Sequence, residues 1–311
     1  MKVSIIGSGM VGASTAYRLI ECETVDEVVL LDIVEGMPQG KGLDMAESAP
    51  VLGSDVKIIG SNDYADMKSS DIIVNTAGIP RKPGMSRMDL LKTNININKD
   101  VTAKIVKYAP DSMILVVANP LDIMTYAAWK LSGFDTNKVF GMAGILDTAR
   151  YRAFISMELG VSVEDINAIL MGGHGDSMVP LPRFTTISGI PLSHFLPKDK
   201  IDAIIERTRK GGGEIVSLLK TGSAYYAPSA AVAQMIDAIT KNKKRVLPVC
   251  AYLNGEYGLK DMFVGVPVIL GRDGVERVIE LDLTDDEKKF LKKSADEVRN
   301  GIKDLDTENL L

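Results

Sequence analysis

The sequence predicts an α/β protein in which a doubly wound parallel sheet is followed by a more antiparallel α+β half. Three observations predict it. Short apolar runs alternate with helix-spaced segments from Lys2 to Met142. The turn after the first run carries three glycines at fixed spacing, Gly7, Gly9 and Gly12. Beyond Arg245 the apolar runs follow one another with short gaps, as antiparallel strands do.

Lys2–Gly7 (KVSIIG) has strand character, Ala13–Ile20 continues with helical spacing, and Glu27–Leu31 (EVVLL) is a second strand ending on Asp32. That order is the βαβ context a Gly-x-Gly-x-x-Gly dinucleotide fingerprint needs, the Rossmann unit. Gly7 allows the tight turn, Gly9 lets backbone approach a pyrophosphate, and Gly12 lets the helix lie close on the strand. Ser8, Met10 and Val11 complete the loop, and the helix N-terminus offers N–H groups and a partial positive charge to phosphates. Asp32 stands twenty residues after Gly12. There a carboxylate accepts hydrogen bonds from both ribose hydroxyls and repels a 2′-phosphate, so the cofactor reads as NAD rather than NADP. Outside this context the glycines would be an ordinary tight loop, and Asp32 a helix cap or solvated strand end.

Composition narrows the class. The chain has 311 residues, 46% hydrophobic and 25% charged, which suits one large soluble α/β domain or two sharing an interface. Met1 leads straight into the first strand and no apolar run approaches membrane-spanning length, so the expected location is cytoplasmic, with no membrane partner. Cys22 and Cys250 lack CxxC spacing and nearby histidines, so buried reduced thiols are expected and no metal site. A net charge of −5 without a Lys/Arg stripe argues against nucleic acid. Any anionic substrate must then be drawn by a few local arginines.

Lys57–Ser61 reads as a third strand and Asp71–Gly78 as a fourth, which runs into the segment Ile79–Arg87, IPRKPGMSR. Its prolines and glycine stop the strand, and Arg81, Lys82 and Arg87 beside a cofactor cleft suggest a substrate lid, the alternative being a solvated basic loop. Met88–Ala109 reads as a helix, Ser112–Ala118 as a strand, Leu121–Leu131 as a helix and Lys138–Met142 as the sixth strand. Between them lies Asn119-Pro120-Leu121-Asp122. Asn119 either begins a turn or aims its amide into the cleft, and its place at a strand end favours the cleft. The dinucleotide-binding domain is expected to span residues 1–143 and a substrate domain residues 144–311.

A helix starting near Leu146 carries Asp147 and Arg150 on one face, as a site pair or an ordinary surface ion pair. Ile166–Met171 reads as an apolar strand ending in Gly-Gly-His-Gly-Asp. His174, flanked by glycines at a strand end, has room for a ligand, and an imidazole titrates near neutral pH, so catalysis is preferred over a structural role. His194, the other of two histidines, lies in a proline-bounded segment and reads as surface. Ile201–Leu219 and Ala230–Thr240 look helical, Arg245–Leu253, Met262–Leu270 and Glu276–Leu281 strand-like, and Asp285–Ile302 a closing helix with a fraying tail, Asp304–Asn309. Gly42, Ala46 and Ala49 offer a small-residue surface for close packing between subunits.

Along nearly its whole length the chain resembles the lactate and malate dehydrogenase family, through GSGMVG, Asp32, IPRKPGMSR, NPLD, LDTAR and GGHGD in family order and spacing. The resemblance implies that His174 is the proton carrier and Asp147 its partner. It makes Arg150 the binder of the carboxylate next to the reacting carbon, Arg87 the lid residue that polarises the carbonyl, and Arg81 the specificity residue for a far carboxylate. Asn119 is implied to position the substrate and the nicotinamide end, and Asn94 is assigned with the glycine loop and Asp32 to the cofactor. Lactate members usually carry glutamine at the Arg81 position and threonine at that of Ala224, so both departures point to malate and oxaloacetate as substrates. A homodimer or homotetramer is also implied.

The chemistry agrees with those roles. Oxidising a 2-hydroxy acid needs a base for the hydroxyl proton while hydride leaves the same carbon. Neutral His174 accepts in that direction and the imidazolium donates in the other, with Asp147 fixing the tautomer as the acid of a Ser-His-Asp triad does. A guanidinium at Arg150 holds a carboxylate bidentately. Two other readings compete: a lactate enzyme, and a dinucleotide-binding module without turnover. The second predicts loss of His174, Asp147 or Arg150, and all three are present.

Overall fold

The computed structural model describes residues 1–80, 84–175 and 177–311, and of Arg87 the backbone alone. The first half alternates β1 (Lys2–Ile6), α1 (Met10–Glu21), β2 (Glu27–Leu31), α2 (Met37–Leu52), β3 (Lys57–Ser61), β4 (Ile72–Asn75), α3 (Arg87–Tyr108), β5 (Met113–Val116), α4 (Leu121–Ser132) and β6 (Val139–Gly141). These strands pair in parallel in the order β3-β2-β1-β4-β5-β6. They are apolar runs because helices cover both faces: Val28 to Leu31 and Ile72 to Val74 are fully buried. Winding reverses between β1 and β4, so their carboxyl ends border the crevice where such sheets bind ligands.

Small residues let helices lie directly on this sheet. A Cβ on Gly60 would sit 1.9 Å from the Pro38 carbonyl oxygen, and one on Gly42 2.8 Å from the Gly60 nitrogen. Gly42 is therefore needed inside the chain, between α2 and β3. Ser86 and Thr284 cap the long helices α3 and α8 (Asp285–Thr307) with reciprocal capping boxes to Asp89 and Glu287.

The second half holds α5 (Gly144–Leu159), the short strands β7 (Ile166–Asn167), β8 (Leu170–Gly172), β9 (Met178–Pro180), β10 (Thr186–Ile187) and β11 (Ile190–Pro191), then α6 (Lys198–Leu219), α7 (Tyr226–Thr240), β12 (Arg245–Asn254), β13 (Lys260–Gly271), β14 (Gly274–Val278) and α8. Among the described residues its larger strands extend the parallel sheet, antiparallel, in the order β6-β12-β13-β8-β9. The junction is one pair, Gly141 with Cys250.

Four expectations are corrected. The apolar run Ile166–Met171 is two strands: β7 pairs with β10 in a small separate sheet, and the chain crosses to the large sheet at Leu170, whose N–H donates to Thr148 Oγ1 at 3.1 Å. The last strand starts at Gly274 rather than Glu276, because Gly274 (φ +83°) turns the chain back onto Gly271. Cys22 is exposed, at the end of α1 where the chain turns outward, and only Cys250 is buried. The tail does not fray from Asp304: α8 runs to Thr307 because Leu305 continues its buried face.

Candidate active site

The glycine loop is shaped by close contact. Gly7 has φ +98°, and a Cβ there would meet Thr76 Oγ1 at 2.6 Å; a Cβ on Gly12 would lie 1.9 Å from the Gly7 carbonyl oxygen. Thr76 Oγ1 donates within reach of the Ile6 and Gly7 carbonyls, at 2.9 and 3.0 Å, fastening β4 to the loop. Gly9 is different. A Cβ there would meet nothing of the protein within 4 Å, so its smallness answers no packing need and leaves room for a ligand against the backbone. Gly9 caps α1 without a side chain, and the first turn, starting at Met10 and Val11, holds no acidic residue. These features fit the pyrophosphate of a dinucleotide.

Asp32, at the end of β2, faces the same loop. The Ser8 N–H and hydroxyl donate to Oδ2 at 2.7 and 2.9 Å, and the Val34 N–H donates to Oδ1 at 3.0 Å. Partial burial opposes its charge, but the Val34, Ser8 and Ile33 donors outweigh it and hold the carboxyl below its ordinary pKa. Lys41 Nζ donates to the Ser8 carbonyl at 2.6 Å, tying α2 to the loop.

Asn94 and Asn119 lie on the other side of the crevice. The buried Asn94 amide accepts from the Ile79 N–H at 2.8 Å and donates to the carbonyls of Ile79 (3.1 Å) and Asn119 (2.7 Å). It thus clamps the strand β4 exit to the start of α4. Asn119, joined to Pro120 by a cis peptide bond, has an exposed side chain on a cleft of about 280 Å³, whose lining includes Leu90, Asp122, His174 and Ser177.

The histidine stands opposite. Gly172, at φ +84°, and Gly173 bring the chain out of β8, and Ser294 of α8 accepts the Gly173 N–H at 2.7 Å. His174 Nδ1 is 2.9 Å from Asp147 Oδ2, and the Arg150 guanidinium donates to Asp147 Oδ1 at 3.3 Å. The Asp147 side chain is only 2% exposed, so this is no surface ion pair. Burial disfavours charge on His174, but Asp147 and, behind it, Asp122 outweigh that and the opposing Arg150, and raise its pKa above the ordinary histidine value. Arg150 Nε is buried and, among the described residues, without a hydrogen-bond partner. That leaves donor capacity for a carboxylate. Room for its side chain comes from α6: a Cβ on Gly211 would approach Arg150 Cδ to 3.3 Å.

His174, Asp147 and Arg150 are thus brought together, Asn119 shares the histidine's cleft, and Gly7 to Gly12 meet Asp32. Arg81 lies outside the described residues; Arg87 begins α3, with its side chain outside them. Sequence reasoning missed Asp122, which accepts the His174 N–H at 3.0 Å, Ser294, and the glycines of α6. Three consecutive glycines inside a predicted helix were a legible signal, since each costs about 1 kcal/mol of helix propensity.

Fold and site together define a two-part protein: a Rossmann dinucleotide-binding sheet next to a buried carboxylate–histidine–arginine cluster. Residues 1–141 match the model of the lactate/malate dehydrogenase NAD binding domain, and residues 145–309 that of the lactate/malate dehydrogenase alpha/beta C-terminal domain. The chain belongs to the lactate/malate dehydrogenase family. It is 61% identical to a malate dehydrogenase of Roseiflexus castenholzii, over 98% of both chains. Among solved structures it is similar to the malate dehydrogenase of Salinibacter ruber, with TM-score 0.95, 54% identity, and 99% and 98% of the two chains covered. It is also similar to a lactate dehydrogenase of Cryptosporidium parvum solved with lactic acid and nicotinamide adenine dinucleotide, with TM-score 0.94, 44% identity and 98% of each chain covered.

Proposed function

We infer that the protein is an enzyme that catalyses the NAD-dependent, reversible conversion of (S)-malate to oxaloacetate. The single observation that carries this is the cluster of His174, Asp147 and Arg150, whose histidine lines the cleft that Asn119 shares. Malate dehydrogenases at 54 to 61% identity support the substrate. When bound, NAD supplies the hydride acceptor. The loop Gly7–Gly12 and the α1 N-terminus would hold its pyrophosphate, Asp32 its ribose hydroxyls, and Asn119 its nicotinamide end, with Asn94 holding Asn119.

His174 moves the proton. Neutral, it accepts the malate hydroxyl proton at Nε2 while Asp147 keeps Nδ1 protonated; as imidazolium it returns that proton to oxaloacetate. Arg150 binds the carboxylate beside the reacting carbon. On sequence grounds Arg87 polarises the carbonyl and Arg81 meets the far carboxylate. A lactate substrate is disfavoured by Arg81 and Ala224. Residues 1–143 and 144–311 form the cofactor and substrate domains, and the protein works in the cytoplasm as a homodimer or homotetramer. Among the described residues no helix is long and apolar enough to cross a membrane.

The test is His174→Asn. NADH affinity should remain near that of the unmodified protein, while turnover falls by on the order of 10² to 10⁴. Near-full turnover across neutral pH would refute the assignment.

A further inference from the structure

We propose that Asp122 is a positioning residue for the proton carrier: its buried carboxylate holds the backbone of His174 while Asp147 holds the ring. The proposal rests on the assignment of His174 as that carrier. Asp122 is 7% exposed, in the first turn of α4. Its Oδ2 accepts the His174 N–H at 3.0 Å and its Oδ1 accepts the Cys250 thiol at 3.2 Å. A Cβ on Gly173 would crowd Ser177 Oγ at 2.7 Å and make only ordinary contact, 3.4 Å, with Asp122 Oδ2, so it is Ser177 beside the anchor that calls for glycine here.

The position is informative because Asp122 lies three residues after Asn119, whose side chain opens on the same cleft. One helix start therefore places both the group assigned to the nicotinamide end and the anchor of the proton carrier. A shift of α4 would move both together.

The charge is informative too. The donors to Asp122 are neutral, the backbone N–H groups of His174 and of Asp122 itself and the Cys250 thiol, and a neutral acceptor would satisfy them. Burying a carboxylate costs free energy, and burial does push its pKa up. The cost is reduced, though not cancelled, by a nearby cation, and that cation is protonated His174. Among the described residues, the charged groups acting on His174 are Asp147 and Arg150 from α5 and Asp122 from α4, while Glu297 of α8 lines the same cleft. Asp122 thus adds a second negative charge behind the imidazolium.

Asp122→Asn tests this while keeping the shape, since the amide oxygen still accepts from the His174 N–H and the amide nitrogen faces the Cys250 sulfur. The chain has only two histidines, so His174 can be followed by NMR of its ring protons, with His194→Gln to assign the other. The expected result is that His174 titrates at lower pH in Asp122→Asn than in the unmodified protein. The acid limb of kcat/KM for malate should move the same way, with NADH affinity unchanged. Asp122→Ala, which also loses the anchor, should lower kcat by about 10²-fold, the scale of a 1 Å misplacement. An unmoved His174 titration in a folded Asp122→Asn protein would overturn the proposal, as would full kcat in Asp122→Ala. If the unmodified protein does not turn over malate, the proposed function fails, while the NMR titration still reads the link between Asp122 and His174.

Discussion

Asp32 shows how one residue joins loop shape to cofactor choice. Its Oδ2 is held by both Ser8 donors and its Oδ1 by the Val34 N–H, so the carboxylate is fixed in orientation with lone pairs left for ribose hydroxyls. Its pKa is lowered further from neutral, and a carboxylate charged here would repel a 2′-phosphate. Asp32→Ser should therefore reduce the preference for NADH over NADPH, read as the ratio of kcat/KM values; an unchanged ratio would count against the cofactor assignment. The His174–Asp147 contact has its own pH dependence. Because the folded pKa of His174 is raised, its stabilising contribution is complete below the ordinary value of about 6.5 and is lost as pH rises through the folded value. His174, Asp147, Arg150 and Asp32 were legible in the sequence because each sits beside a local signal: a glycine collar, a one-turn spacing, a strand end. Asp122 was not, since its partners lie 52 and 128 residues away, and no local pattern announces a contact at that separation.

At the scale of elements, the strand–loop–helix unit separates two uses of glycine. Gly12 is demanded by the protein, its Cβ position falling 1.9 Å from a backbone oxygen, whereas Gly9 faces open space at φ −64°. Gly12→Ala should thus destabilise the fold by about 1 to 3 kcal/mol, the usual scale of overpacking, and lower Tm. Gly9→Ala should keep Tm and weaken NADH binding about tenfold or more, a clash worth some 1.4 kcal/mol. Calorimetry and NADH titration read the two effects; tight NADH binding by Gly9→Ala would show that the ligand does not approach there. The parallel strands were legible because burial on both faces writes them as continuous apolar runs. Strands β7 to β11, two or three residues each, are too short to carry a period and are fixed by tertiary pairing.

For the whole molecule, the α/β class and the antiparallel character of the second half were legible, but not the joining of both halves into one sheet. That joint depends on the Gly141–Cys250 pair, where a Cβ on Gly141 would crowd Thr125 Oγ1 at 2.6 Å. The proposed homo-oligomer is supported by apolar side chains left on α2 and the α6 end: Leu43 is 62%, Val51 88% and Leu218 73% exposed. Sedimentation velocity should give a dimer or tetramer at assay concentration, and an active monomer would refute it. The choice of substrate turns on charge. A second carboxylate inside a closed site needs a cationic partner, and a buried charge pair deprived of one member loses about 2 to 5 kcal/mol. The most direct measurement is therefore the steady-state oxidation of NADH by the unmodified protein with oxaloacetate and with pyruvate. The expected kcat/KM favours oxaloacetate by about 30-fold or more, the lower end of that range; equal use of both acids, or preference for pyruvate, would contradict the assignment to malate.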